Sequence, residues 1–93
     1  MTSDDLVRDY RAAFLRHLAR RDEDSLAYGY ALGRRALEGG AGLLDLVRAH
    51  HVVLAEVSGP REDPAATTEA AAELLTEVLA SYEMARRTPE STF

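Results

Sequence analysis

Apolar residues recur along the chain at steps of three and four, and no stretch alternates apolar with polar at period two. That spacing gathers the apolar side chains of each segment on one face of a helix, so the pattern predicts helices and no strands. Four segments carry it, over about 4–20, 23–38, 43–57 and 65–87. Leu6, Val7, Tyr10, Phe14, Leu15 and Leu18 form the expected inner stripe of the first. Leu26, Tyr30, Gly33 and Leu37 form that of the second, and Leu43, Leu46, Val47, His50, Leu54 and Val57 that of the third. The fourth carries Ala71, Leu74, Leu75, Val78, Leu79, Tyr82 and Ala85.

The ends of these segments have their own chemistry. Thr2 or Ser3 is expected to cap the first helix, and Thr2 to Asp5 has capping-box spacing. Asp4 and Asp5 suit the positive end of its dipole. Asp22 or Asp24 caps the second helix, and Gly39-Gly40 closes it, glycine taking the left-handed conformation without steric cost. Gly42 opens the third, with Asp45 in its first turn. The break from Ser58 to Pro64 is rich in turn formers. Asp63 before Pro64, or else Thr67 or Thr68, caps the fourth helix, which Pro89 ends, leaving Ser91 to Phe93 frayed. Connections this short predict an all-α, four-helix antiparallel bundle in a single domain over 1–93.

Composition narrows the function. The chain has 93 residues, 46% of them apolar and 29% charged, the balance of a globular protein with one modest core. No apolar run approaches the roughly 18 residues of a membrane span, and the acidic N-terminus has no signal-peptide pattern. A cytoplasmic protein without membrane contact is expected. The absence of cysteine excludes disulfides, a thiol nucleophile and thiolate zinc sites. All 11 basic residues are arginine, against 16 acids, for a net charge of −5. The pairs Arg20-Arg21, Arg34-Arg35 and Arg86-Arg87 sit near helix C-termini, where they complement the dipole, and no helix has a basic face. No nucleic-acid partner is expected.

Candidate catalytic groups do not converge. His50 and His51 are adjacent and point about 100° apart on a helix, so they cannot chelate one ion together. His17 lies between Ala13-Phe14 and Arg20-Arg21, with no ligand partner at helical spacing. Ser25, His50 and Glu77 make a nucleophile–base–acid set only on paper, because G-x-S-x-G is missing, as are the glycine-rich phosphate-binding motifs. No enzyme activity, cofactor or metal is expected.

Gly29 and Gly33 are a handicap inside a helix, about 1 kcal/mol each against alanine. With Ala36 they make a smooth face for close approach of another helix, either within the monomer or at a subunit or partner contact. Tyr28 and Tyr30 flank Gly29 and cannot both face the same core; one is expected to pack inward and the other to be exposed as an interface anchor.

The segment Ser25 to Leu37 (SLAYGYALGRRAL), followed by Leu43 to His51 (LLDLVRAHH) and Leu54, resembles the N-terminal domain of RsbU-type phosphatases. Ala72 to Arg87, with its E-M-A-x-R ending, resembles that family's closing helix, and the likeness runs from Leu6 to Arg87. The resemblance implies a four-helix fold similar to the C-terminal domain of KaiA, and a homodimer. It implies a non-catalytic domain that binds an RsbT-like switch serine kinase and thereby activates an attached PPM-type phosphatase in a partner-switching, sigma-factor stress pathway. The kinase-contact positions it implies are Ala27, Tyr28, Leu75, Thr76 and Leu79. Ala27 is smaller than the residue often seen at its place, and Tyr28 or Tyr30 is expected to compensate.

The chain ends six residues after Arg87. It is therefore expected to be either a fragment of a longer phosphatase or a free-standing domain that scaffolds or sequesters. The competing reading is a small-ligand sensor with a cavity lined by Tyr10, Phe14, Tyr82 and Met84.

Overall fold

The computed structural model describes residues 1–58 and 63–87. Its helices are α1 (Ser3–Arg20), α2 (Glu23–Glu38), α3 (Leu43–Val57) and α4 (Pro64–Arg87), and the described residues contain no strand. The expected turn over 59–62, the stop at Pro89 and the frayed end lie outside the described residues.

Local chemistry accounts for each helix start. Thr2 Oγ1 accepts from the Asp5 N–H at 3.1 Å while Asp5 Oδ2 accepts from the Thr2 N–H at 3.3 Å, a reciprocal capping box. Asp22 Oδ1 accepts from the Ser25 N–H at 2.8 Å at the head of α2. Gly42 has no side chain to cap α3, so Asp45 reaches back and accepts the Gly42 N–H at 2.8 Å. Asp63 caps α4 by accepting from the Ala66 N–H at 3.1 Å, and Pro64, which has no N–H to leave unpaired, takes the first helical position. Thr67 and Thr68 bond back to carbonyls one turn earlier instead of capping.

The helix ends differ in one detail from the expectation. Gly39 keeps a negative φ of −84°, and it is Gly40, at +84°, that adopts the left-handed conformation. At the end of α1 a non-glycine residue does so: Arg21 has φ 50°, and its N–H donates to the His17 carbonyl at 2.8 Å.

Successive helices run in opposite directions, yet the most extensive packing joins α2 and α4, which run parallel. Going along α2 from Gly29 to Gly33 moves the contact along α4 from Leu74 and Val78 to Ser81 and Tyr82. A Cβ on Gly29 would lie 2.6 Å from Leu74 Cδ1, and one on Gly33 would overlap Ser81 Oγ and the Val78 carbonyl oxygen. The missing side chains are what allow the two backbones to approach. α1 touches all three other helices, whereas α2 and α3 barely meet.

The buried faces are rotated from the expected stripes. On α1, Leu15 is exposed and His17 is buried, because the stripe continues through Leu6, Tyr10, Ala13, Phe14 and His17. On α2 the buried face is Ser25, Gly29, Leu32, Gly33 and Ala36, with Leu26, Tyr30 and Leu37 on its flank. On α3, Ala49 and Val53 are buried while Leu43 is exposed and Val47 and Leu54 are half-buried. On α2 the small residues Gly29 and Gly33 lie in the seam against α4, and Leu26, Tyr30 and Leu37 are displaced to its margins. Full burial of Leu32, Leu46 and Leu74 contributes about 1.5–3 kcal/mol for each side chain.

Candidate protein-binding site

The polar residues inside the bundle come first, because they decide whether the protein holds a reactive centre. His17, 1% exposed, places Nδ1 2.7 Å from Ser25 Oγ and Nε2 2.8 Å from Glu73 Oε1. Arg21 donates from Nε and Nη2 to the same carboxylate at 2.9 and 3.0 Å, which with His17 holds Glu73 below the usual carboxylate range. Sequence reasoning missed this set. It placed Ser25 with His50 and Glu77, which the structure does not bring together with it, and dismissed His17. Ser25 Oγ is completely buried and also donates to the Asp22 carbonyl at 2.8 Å, so it is closed to a substrate. The set ties the α1–α2 turn to α4.

A second polar pair lies between α1 and α3, where Tyr10 Oη stands 2.9 Å from His50 Nδ1. Burial, and secondarily neighbouring His51, lowers the His50 pKa from its ordinary 6.5, and burial raises that of Tyr10. The imidazole is thus neutral at pH 7 and the phenol keeps its hydrogen. Tyr82 Oη donates to the Ala41 carbonyl at 2.8 Å, fastening α4 to the α2–α3 turn. Tyr10, Phe14 and Tyr82 are closed into the core, whereas Met84 is 56% exposed. These four residues therefore do not share the ligand cavity proposed for them.

An open groove of about 360 Å³ runs along the outside of the α2–α4 seam, lined by Glu23, Leu26, Ala27, Tyr30 and Glu77. The four α2 residues follow one another at steps of three, one and three, so they line one side of that helix over two turns. Leu26 and Tyr30 are half-buried and Ala27 is exposed. Among the described residues neither Glu23 nor Glu77 has a basic partner, whereas Glu56, Glu73 and Glu83 are paired with Arg11, Arg21 and Arg86 at 2.8, 2.9 and 2.7 Å.

The positions marked by the resemblance thus fall in different places. Ala27 and Tyr30 share the groove. Tyr28 is on the other flank of α2, half-buried against the core, with the Arg16 guanidinium 5.2 Å and that of Arg35 6.0 Å from its ring centre. Neither tyrosine is fully inward or fully exposed; the expected division fails because the pair straddles a buried face made of glycine and alanine. Leu75 and Leu79 are half-buried and stand about 200° round α4 from Glu77, and Thr76 is exposed. Gly29, Gly33 and Ala36 are buried, the two glycines against α4. Glu23, Leu26 and Glu77 were not anticipated as groove residues, although the one-sided spacing of Glu23 and Leu26 with Ala27 and Tyr30 on α2 was visible.

The family described as phosphoserine phosphatase RsbU, N-terminal domain, matches residues 8–85. The chain belongs to this family. The match spans most of the 93-residue chain, with α2 and α3 whole and most of α1 and α4, and is to the N-terminal domain and not to a phosphatase domain. No curated protein and no solved structure matches the chain. A regulatory, partner-switching role in stress and sigma-factor signalling follows from membership. Among the described residues no helix of this RsbU-type domain is long and apolar enough to cross a membrane.

Proposed function

We propose that this RsbU-type domain is a non-catalytic, cytoplasmic module that docks an RsbT-like switch serine kinase on the α2–α4 face. The observation that carries the reading is the groove: an apolar floor of Leu26, Ala27 and Tyr30 on α2, closed on the α4 side by Glu77, which includes Ala27, one of the kinase-contact positions that the family likeness implies. Tyrosine is a frequent anchor of protein interfaces because it buries a large ring with little loss of side-chain freedom. Gel filtration with light scattering, run with the RsbT-like kinases of the source organism, tests it. Co-elution with one kinase is the expected result, and failure to bind any of them overturns it.

The domain also forms a homodimer in this reading. Support comes from the large apolar side chains left at the surface of α3, where Leu44 is 74% and Leu43 49% exposed. A stable interface commonly buries about 800 Å² on each partner, so the contact would extend beyond these leucines to neighbouring residues. A dimeric mass for the wild type and a monomeric one for Leu44→Glu, with unchanged helix content, is the expected outcome. A monomeric wild type would remove the dimer from the proposal.

A further inference from the structure

The groove between α2 and α4 has a charge as well as a shape. Its apolar floor is bordered by Glu23 on α2 and half-buried Glu77 on α4. Five other carboxylates, Asp5, Asp22, Glu56, Glu73 and Glu83, are held below their ordinary range by arginines, backbone N–H groups or hydroxyls within this chain. Glu23 and Glu77 have no such partner among the described residues. Placing Glu23 in the first turn of α2 suits the helix dipole, but that explanation does not extend to Glu77, which lies mid-way along α4. Carboxylates bordering an apolar furrow discriminate between occupants: they attract cationic side chains and disfavour acidic ones, whose negative charge would be partly desolvated beside them.

We infer that the groove selects a basic amphipathic helix, with apolar side chains on the Leu26–Ala27–Tyr30 floor and arginine or lysine reaching Glu23 and Glu77. The groove-lining residues of α2 span Glu23 to Tyr30, about 10.5 Å of helix rise, which matches two turns of a docked helix with apolar residues at i, i+3, i+4 and i+7. The inference rests on the reading of the α2–α4 face as the partner surface and adds the chemistry of what lands there: the contacting element of the kinase is cationic. An acidic or uncharged apolar helix is the alternative that the charge disfavours.

The test uses the whole chain and does not depend on finding the kinase. One probe is a stapled helical peptide with leucine at i, i+3, i+4 and i+7 and arginine on both flanks; a second has the same leucines with glutamate flanks. Amide chemical shifts map the binding site and fluorescence anisotropy measures affinity. The arginine peptide is expected to perturb Glu23 to Tyr30 and Glu77 and to weaken as salt is raised, with the glutamate peptide failing to bind. Glu23→Gln with Glu77→Gln is expected to weaken the arginine peptide by about fivefold to tenfold, the effect of two exposed ion pairs. Asp4→Asn with Glu38→Gln makes the same change in net charge at exposed sites away from the groove and is expected to leave affinity unchanged. Melting curves of both double variants separate lost binding from lost fold. Equal binding of the two peptides, equal weakening by the two double variants, or shifts confined to another face would each overturn the inference. A kinase that co-elutes with the wild type and equally well with the Glu23→Gln, Glu77→Gln variant would retain the docking reading and reject the charge selection.

Discussion

Gly33 meets Ser81 where α2 and α4 approach backbone to backbone, with no room for a methyl group between Gly33 Cα and Ser81 Oγ or the Val78 carbonyl. Gly29, one turn earlier, meets instead the tip of the Leu74 side chain. The two positions look equivalent in the sequence, but one faces a fixed backbone and the other a movable methyl.

Gly33→Ala is therefore expected to destabilise the domain by about 1–3 kcal/mol, the cost of forcing helices apart, after an offset of about 1 kcal/mol from better helix propensity. Gly29→Ala is expected to stay within about 1 kcal/mol of wild type, because Leu74 can change rotamer. Urea denaturation measures both. Equal effects at the two glycines would mean that α4 is not held against α2 as described.

Acid sensitivity is expected from His50. Burial lowers its folded-state pKa from the ordinary 6.5, so the unfolded chain takes up a proton at higher pH than the folded chain does. The stability that the neutral ring contributes is complete above about pH 6.5 and is lost as pH falls through the lower folded value. The lowered carboxylates Asp5, Asp22, Glu56, Glu73 and Glu83 act with the same sign at lower pH, below their ordinary values of 3.8 and 4.5. The urea midpoint should fall between about pH 7 and about pH 5 in the wild type. His50→Gln, which cannot titrate, should flatten that part of the curve; an unaltered slope would assign the effect to another group.

His17 holds three chain segments together through Ser25 and Glu73. His17→Ala opens a cavity and strips the buried Ser25 hydroxyl of one partner, with an expected cost of about 2–4 kcal/mol. Glu73→Gln is expected to cost less than His17→Ala, since its carboxylate is nearly half exposed and screened by water. Thermal melts of the two variants check the ranking. A larger loss from Glu73→Gln would mean that the ion pair, not the buried ring, fastens α1 to α4.

The contrast between Leu15 and His17 shows what a sequence can and cannot disclose here. Helix boundaries are written locally: Thr2 with Asp5, Asp22 with Ser25 and Asp63 with Pro64 act within one turn, so their chemistry is readable in place. Which face is buried is a different matter. Hydrophobicity favours Leu15 over His17, yet His17 is buried because Ser25 and Glu73, distant in the chain, satisfy both its nitrogens. Gly29 and Gly33 announce a close approach, but the partner is 45 or more residues away on α4 and leaves no trace at the glycines themselves. For the groove, Ala27 follows from the family likeness and Tyr30 from its place beside Gly29, whereas Glu77 depends on the parallel pairing of α2 with α4, which helix periodicity does not encode.

In the proposed docking mode, Tyr28 and Tyr30 separate folding from binding. Tyr28 packs half-buried against the core beneath Arg16 and Arg35, so Tyr28→Ala is expected to cost about 1–3 kcal/mol of stability through lost apolar contact and lost cation–π attraction. Tyr30 lines the groove, and its truncation should leave most of the stability intact while weakening kinase binding by roughly tenfold or more, as removal of an interface anchor does. Titration calorimetry of each variant, at a temperature where melting shows it fully folded, distinguishes the two effects. If a folded Tyr28→Ala lost affinity and Tyr30→Ala kept it, the kinase would have to approach from the flank of α2 that faces α1, and Glu23 and Glu77 would no longer border its landing site.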